Sequence, residues 1–193
     1  MARRTVLFLP DHYYHIYNRG AHKADIFRDD YDFTFLLKLL KKKAKEFDIS
    51  VIAYCLMSNH YHFLLRQNGT ATISQFMQAV FNIYSKAFNS KYQLSGTLFE
   101  GPFRAIMVKD KQYLTHLCRY IHLNPIEADM VVVPEQWHYS NYLEFIGKRN
   151  GKLIDTEFVQ EHFGMPEEYR AFVMDYVPSE KTENKLRHYL FWD

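Results

Sequence analysis

An α+β fold in the order β-α-β-β-α-β, followed by one more helix, is what this 193-residue sequence predicts, on three observations. Short runs rich in aromatic and β-branched residues flank two long stretches of helical periodicity, turn residues separate them, and a proline closes the last helix. The first strand runs from His12 to Asn18 and stops at Arg19 and Gly20. Asp29 or Asp30 then caps a helix in which Phe33, Leu36, Leu37, Leu40, Ala44 and Phe47 recur at three-four spacing, with the lysines opposite. Ile49 to Met57 has the length and apolarity of a strand, and Tyr61 to Leu65, beyond Ser58 and Asn59, completes a hairpin. Thr72 or Ser74 opens the second helix, whose stripe is Ile73, Phe76, Met77, Val80, Tyr84, Ala87 and Phe88. Past Gly96, Gly101 and Pro102, Phe103 to Lys109 reads as the fourth strand and Gln112 to Leu123 as a third helix that Pro125 stops. The first six elements make the ferredoxin-like arrangement: an antiparallel sheet with two helices on one face. The other face is expected to be free, a common nucleic-acid platform.

Beyond Pro125 the pattern weakens. Val131, Val132 and Val133 suggest an added strand, and Trp137 to Ile146 an aromatic turn and helix. Polar residues 148–152, with Gly151, read as a linker, which divides the chain into a domain 1–147 and a C-terminal helical appendage 148–193. Within the appendage, Phe158 to Phe163 and Tyr169 to Val177 are amphipathic, and the Tyr-Leu-Phe-Trp cluster near the end is expected to dock on the body. The formal charge of +2 is only permissive for a polyanion partner. No apolar run approaches a membrane span, so the expected location is cytoplasmic. Cys55 and Cys118 lack metal-motif spacing and read as buried free thiols.

Chemistry enters at the third strand. Side chains alternate across a strand, so His60 and His62 point to one face and Tyr61 to the other. Two imidazoles on one face are half a metal site; polar residues satisfied on a sheet face are the bland alternative. On the third helix His116, Tyr120 and Asn124 lie at i, i+4 spacing and share a polar face, while Leu114, Leu117, Cys118 and Ile121 point elsewhere. Periodicity alone does not single out Tyr120 among fifteen tyrosines.

Four segments, in this order, resemble the bacterial REP-associated tyrosine transposases, single-domain relatives of the IS200/IS605 transposases. They are Tyr14-His15-Ile16-Tyr17-Asn18-Arg19-Gly20, Leu56 to Leu65 around Asn59-His60-Tyr61-His62, Gly96 to Phe103, and Arg119-Tyr120-Ile121-His122-Leu123-Asn124-Pro125. The likeness runs from about Tyr13 to Gly147 and includes Trp137 and Ser140. It implies an endonuclease of the histidine-hydrophobic-histidine class, in which His60, His62 and Asn124 hold a divalent metal. Tyr120 is then the nucleophile that attacks a DNA phosphate, giving a 5′-phosphotyrosine and a free 3′-hydroxyl. The implied partner is single-stranded DNA folded into hairpins of palindromic repeats, bound by a monomer or a homodimer.

Those residue types suit the task. A phenol, with a pKa of about 10, is a poor nucleophile at neutral pH, and a phosphodiester repels it. An ion between His60, His62 and Asn124 withdraws charge from the phosphate. Mixed nitrogen and oxygen ligands favour Mn2+ by affinity and cellular abundance favours Mg2+, with Zn2+ left open. The Tyr120 proton needs an acceptor, a water at the ion or His116. Arg3, Arg4, Arg19, Arg104 and Lys109 are the expected phosphate contacts. Three positions depart from the family pattern: Ser58 replaces a proline, Glu127 an arginine and Asp129 a glycine. The two acids put phosphate contact near this turn in question, which keeps a non-catalytic hairpin-binding protein of the same fold as the alternative.

Overall fold

The structure is a computed structural model and describes residues 6–176. Four strands, β1 (His12–Arg19), β2 (Ile49–Leu56), β3 (His60–Gln67) and β4 (Arg104–Val108), form one sheet in the order β2-β3-β1-β4. Every neighbouring pair is antiparallel. Helices α1 (Asp30–Phe47) and α2 (Ile73–Tyr92) join the strands as in a ferredoxin-like fold. Both begin on side-chain caps: Asp32 N–H donates to the Asp29 carboxylate, and Thr72 and Gln75 cap each other reciprocally. Their apolar stripes bury Phe33, Leu36, Leu40, Phe76, Val80 and Tyr84 against Tyr14, Ile16, Tyr61 and Phe63 on one sheet face.

The second sheet face is not free. Helix α3 (Lys111–Glu127) lies across it and buries Leu114, Leu117, Cys118 and Ile121 against Ile52, Ala53, Cys55 and Leu64. A bulge between Val51 and Ala53 turns two consecutive residues, Ile52 and Ala53, toward α3, where strict alternation would present one. Three short helices, α4 (Tyr142–Phe145), α5 (Thr156–Phe163) and α6 (Pro166–Met174), add Tyr142, Phe145, Phe158, Tyr169 and Val173 to the same cluster. Side chains after residue 148 thus share a core with α3.

Two further expectations are corrected. Pro125 lies inside α3, which runs on to Glu127; with only two residues to follow, its missing N–H costs one bond in the last turn. Val131 to Val133 form no strand, and Val132 is 82% exposed. The edge of β2 is covered instead by residues 137–141. Trp137 Nε1–H donates to Leu56 O, Leu56 N–H to Tyr139 O, Tyr54 N–H to Asn141 Oδ1, and Asn141 Nδ2–H to Ile52 O. One buried amide therefore satisfies a donor and an acceptor that an edge strand would leave open. Both cysteines are buried and free. No helix among the described residues is long and apolar enough to cross a membrane. The terminal aromatic cluster lies outside the described residues.

Candidate active site on the second sheet face

The sheet register decides which side chains meet. Tyr17 stands opposite His62 and Arg19 opposite His60, while Arg104 on β4 stands opposite Tyr17. Directly opposed residues share a face, so Arg19, Tyr17, His60, His62 and Arg104 all lie on the α3 side. His15, two residues before Tyr17, joins them. Helix α3 brings Tyr120 over this group: its ring stands edge-on to His62 with centroids 5.6 Å apart, and to His15 at 6.5 Å. His60 and His62 are 5.2 Å apart and nearly perpendicular.

Asn124, one turn after the tyrosine, is 6% exposed. Its Nδ2–H donates to the carbonyl of Tyr120, which ties the amide to the turn carrying the phenol. Burial lowers the His60 pKa to about 4, partly offset by a hydrogen bond with Asn124. Burial also holds His62 well below its usual value, with the neighbouring His60 and His15 adding to the effect. Both imidazoles are therefore neutral at pH 7, the state in which a histidine ligates metal. His62 Nε2 is buried without a hydrogen-bond partner. Among the described residues no three His, Cys, Asp or Glu side chains are placed to hold an ion. A third ligand would have to come from another kind of donor, and the Asn124 side-chain oxygen is one such group, tied to His60 by a hydrogen bond. The orphaned nitrogen, the neutral ring pair and the amide together fit a divalent cation with open positions for substrate.

Burial raises the Tyr120 phenol well above its usual pKa, the Glu127 carboxylate raises it further, and a hydrogen bond with Asn124 pulls it back. His116 is turned to other partners. Arg119 Nη2 donates to its Nδ1 at 2.7 Å, and its ring packs 5.7 Å from Phe172 on α6. A guanidinium only donates, so His116 carries its own proton on Nε2 and has no lone pair left for the Tyr120 proton. Of the expected phosphate contacts, Arg19 is bound to Glu100 at 2.7 Å, while Arg104 and Lys109 are exposed at opposite ends of β4. Arg3 and Arg4 lie outside the described residues. Of the departures, Asp129 sits at φ 54°, the left-handed region where glycine is at ease and aspartate is among the tolerated L-residues.

Three residues of the site carry no expectation from the sequence. His15 donates to or accepts from His62, Nε2 to Nδ1 at 3.1 Å, and Tyr17 stacks on His62 at 5.9 Å. Alternation along β1 places Tyr13, His15, Tyr17 and Arg19 on one face, a signal present in the sequence. His122, fully buried, has Nδ1 2.6 Å from Tyr169 Oη and Nε2 2.9 Å from Asn141 Oδ1. Its partners lie 47 and 19 residues away in sequence, so no local pattern announces the pairing.

A ferredoxin-like sheet bearing two neutral histidines that face a helix-borne tyrosine and amide defines the class of protein. The family described as IS200-like transposases matches residues 9–124, well over half of the chain. The chain belongs to the IS200-like transposase family. Among solved structures, a REP-associated tyrosine transposase bound to a REP hairpin is similar in fold, with a TM-score of 0.64 at 13% identity, covering 80% of this chain and 94% of that one. A Deinococcus radiodurans R1 chain described as a candidate transposase matches at 18% identity with a TM-score of 0.43, over 63% of this chain and 94% of that one. No curated protein matches the sequence.

Proposed function

We propose that this transposase-family chain is a metal-dependent endonuclease and strand transferase for single-stranded DNA, acting on hairpin-forming repeats through a 5′-phosphotyrosine at Tyr120. One observation carries the reading: the Tyr120 ring stands edge-on to His62, whose buried Nε2 has no partner, and Asn124 hydrogen-bonds with both Tyr120 and His60. Buried neutral histidines with an unused lone pair are costly to a fold that does not use them.

His60, His62 and Asn124 would hold Mg2+ or Mn2+. Held there, such an ion would supply Lewis-acid chemistry, drawing charge from the phosphate and so easing attack by an anion. Tyr120 Oη then forms a bond to phosphorus as the bond to the 3′-oxygen breaks. The phenol proton passes to solvent, since His116 is occupied by Arg119, and the leaving 3′-oxygen takes up a proton. Attack by a 3′-hydroxyl on the phosphotyrosine reverses the sequence and rejoins a strand. Asn124, bonded to the Tyr120 turn, keeps phenol and metal ligands in one geometry, which is where positioning lowers a barrier most. Arg104, beside Tyr17 on the site face, is the best-placed cation for the incoming phosphate backbone, and Arg19 joins it by exchanging Glu100 for DNA. The fold shared with a hairpin-bound relative supports a hairpin as substrate.

The test is incubation with end-labelled single-stranded hairpin DNA and Mn2+ or Mg2+, beside Tyr120→Phe. A denaturation-resistant protein–DNA adduct that needs the metal and disappears in the variant is the expected result. DNA binding without an adduct under either metal would replace this reading with hairpin binding alone, a reading that Glu127 favours by opposing ionisation of Tyr120.

A further inference from the structure

His15 and His62 form a closed pair in the interior. They are 0% and 1% exposed, lie 19° from coplanar, and share a single hydrogen bond between His15 Nε2 and His62 Nδ1. Their outer nitrogens, His15 Nδ1 and His62 Nε2, have no partner. Two unsatisfied polar atoms in one buried pair weaken a fold, so packing alone does not account for them.

The shared bond couples the two tautomers. In one arrangement His62 Nδ1–H donates to His15 Nε2, His15 holds its proton on Nδ1, and His62 Nε2 keeps its lone pair. In the other, His15 Nε2–H donates to His62 Nδ1, and His62 Nε2 carries a proton that bars it from ligation. Exchange between them needs no net gain or loss of protons. Only the first arrangement leaves the electron pair of His62 Nε2 free.

We infer that His15 is a positioning residue that accepts the His62 Nδ1–H bond and so fixes the His62 Nε2 lone pair toward the metal. The inference rests on the metal reading above. Ligating histidines are generally oriented by an acceptor on their other nitrogen. A carboxylate there would add a buried charge in a dry setting between Tyr17 and Tyr120, whereas an imidazole accepts while remaining neutral. The ring cannot drift away, because His15 lies on β1 between β3 and β4, with both of its strand neighbours hydrogen-bonded in register.

The experiment titrates Mn2+ alone into the full chain and into His15→Phe and His15→Gln, by calorimetry, with melting temperatures of the metal-free proteins. His15→Phe is expected to bind Mn2+ about 10–100-fold more weakly. Its melting temperature should change little, since it exchanges one unpartnered nitrogen for another. His15→Gln, whose amide oxygen falls near the Nε2 position, should bind close to the parent. Equal affinity in His15→Phe, or a glutamine variant as weak as phenylalanine, overturns the inference while leaving metal binding intact. Failure of the parent chain to bind Mn2+ removes the metal reading, and this inference with it. Nitrogen-15 NMR of the Zn2+-loaded parent needs no variant: a proton on His62 Nδ1 is expected, and one on Nε2 sinks the assignment.

Discussion

Acid should dismantle this protein through its buried histidines, and His122 isolates the effect. Its Nε2 faces Asn141 Oδ1, which already accepts from Tyr54 N–H, so His122 donates there and accepts at Nδ1 from the Tyr169 hydroxyl. The neutral ring is thus fully paired, and burial lowers its pKa to about 4. The unfolded chain, with an ordinary value near 6.5, binds the proton first as pH falls. Stability conferred by this group is therefore complete above about pH 6.5 and is lost as pH drops toward 4. Integrating the difference in bound protons from pH 7 to pH 4 gives a loss of about 3 kcal/mol from this one ring. His122→Gln supplies a similar donor and acceptor without titrating. Urea unfolding followed by tryptophan fluorescence at several pH values should show the parent losing about 3 kcal/mol more than the variant over that range. Parallel stability curves would refute the network as drawn, because they would mean that His122 is no harder to protonate folded than unfolded.

Glu127 raises the Tyr120 pKa, so Glu127→Gln should lower it and speed adduct formation a few-fold near neutral pH, with the gain shrinking as pH rises; an unchanged pH–rate profile would disprove the coupling. Asp129 occupies a left-handed backbone position, so Asp129→Gly should cost no stability whereas Asp129→Val should cost about 1–2 kcal/mol, read by thermal melting. Equal melting temperatures for the two variants would show that this turn relaxes freely.

What the sequence makes legible is local. Asp29 and Thr72 announce their helices because a cap acts within three residues, and the stripes from Phe33 to Phe47 and Ile73 to Phe88 follow from one helix packing on one sheet. His60 and His62 are legible for the same reason, as strand alternation is a property of adjacent residues. The covered second face was not legible, because Tyr169, Tyr142 and Asn141 find their partners across long separations that a local period does not encode. Pro125 misleads in the opposite sense. A proline forbids one hydrogen bond, and a helix with only two residues still to run tolerates that loss. His15 is an intermediate case: alternation places it on the site face, but its partnership with His62 depends on the β1–β3 register, which no single strand encodes.

The anchoring of α3 bears on what the proposed reaction at Tyr120 would require after its first step. Arg119 packs on the rings of Phe172 and Tyr176, 4.3 and 4.1 Å from their centroids, and His122 is hydrogen-bonded to Tyr169 and Asn141. Both grips lie on the side of the helix turned away from the Tyr120 phenol, and neither involves its hydroxyl. In the proposed reaction, a strand of DNA esterified to that oxygen would pull on a side chain whose helix is moored elsewhere. The arm carrying that load would be bolted from behind, so the severed end would stay within reach of the acceptor that must reclaim it.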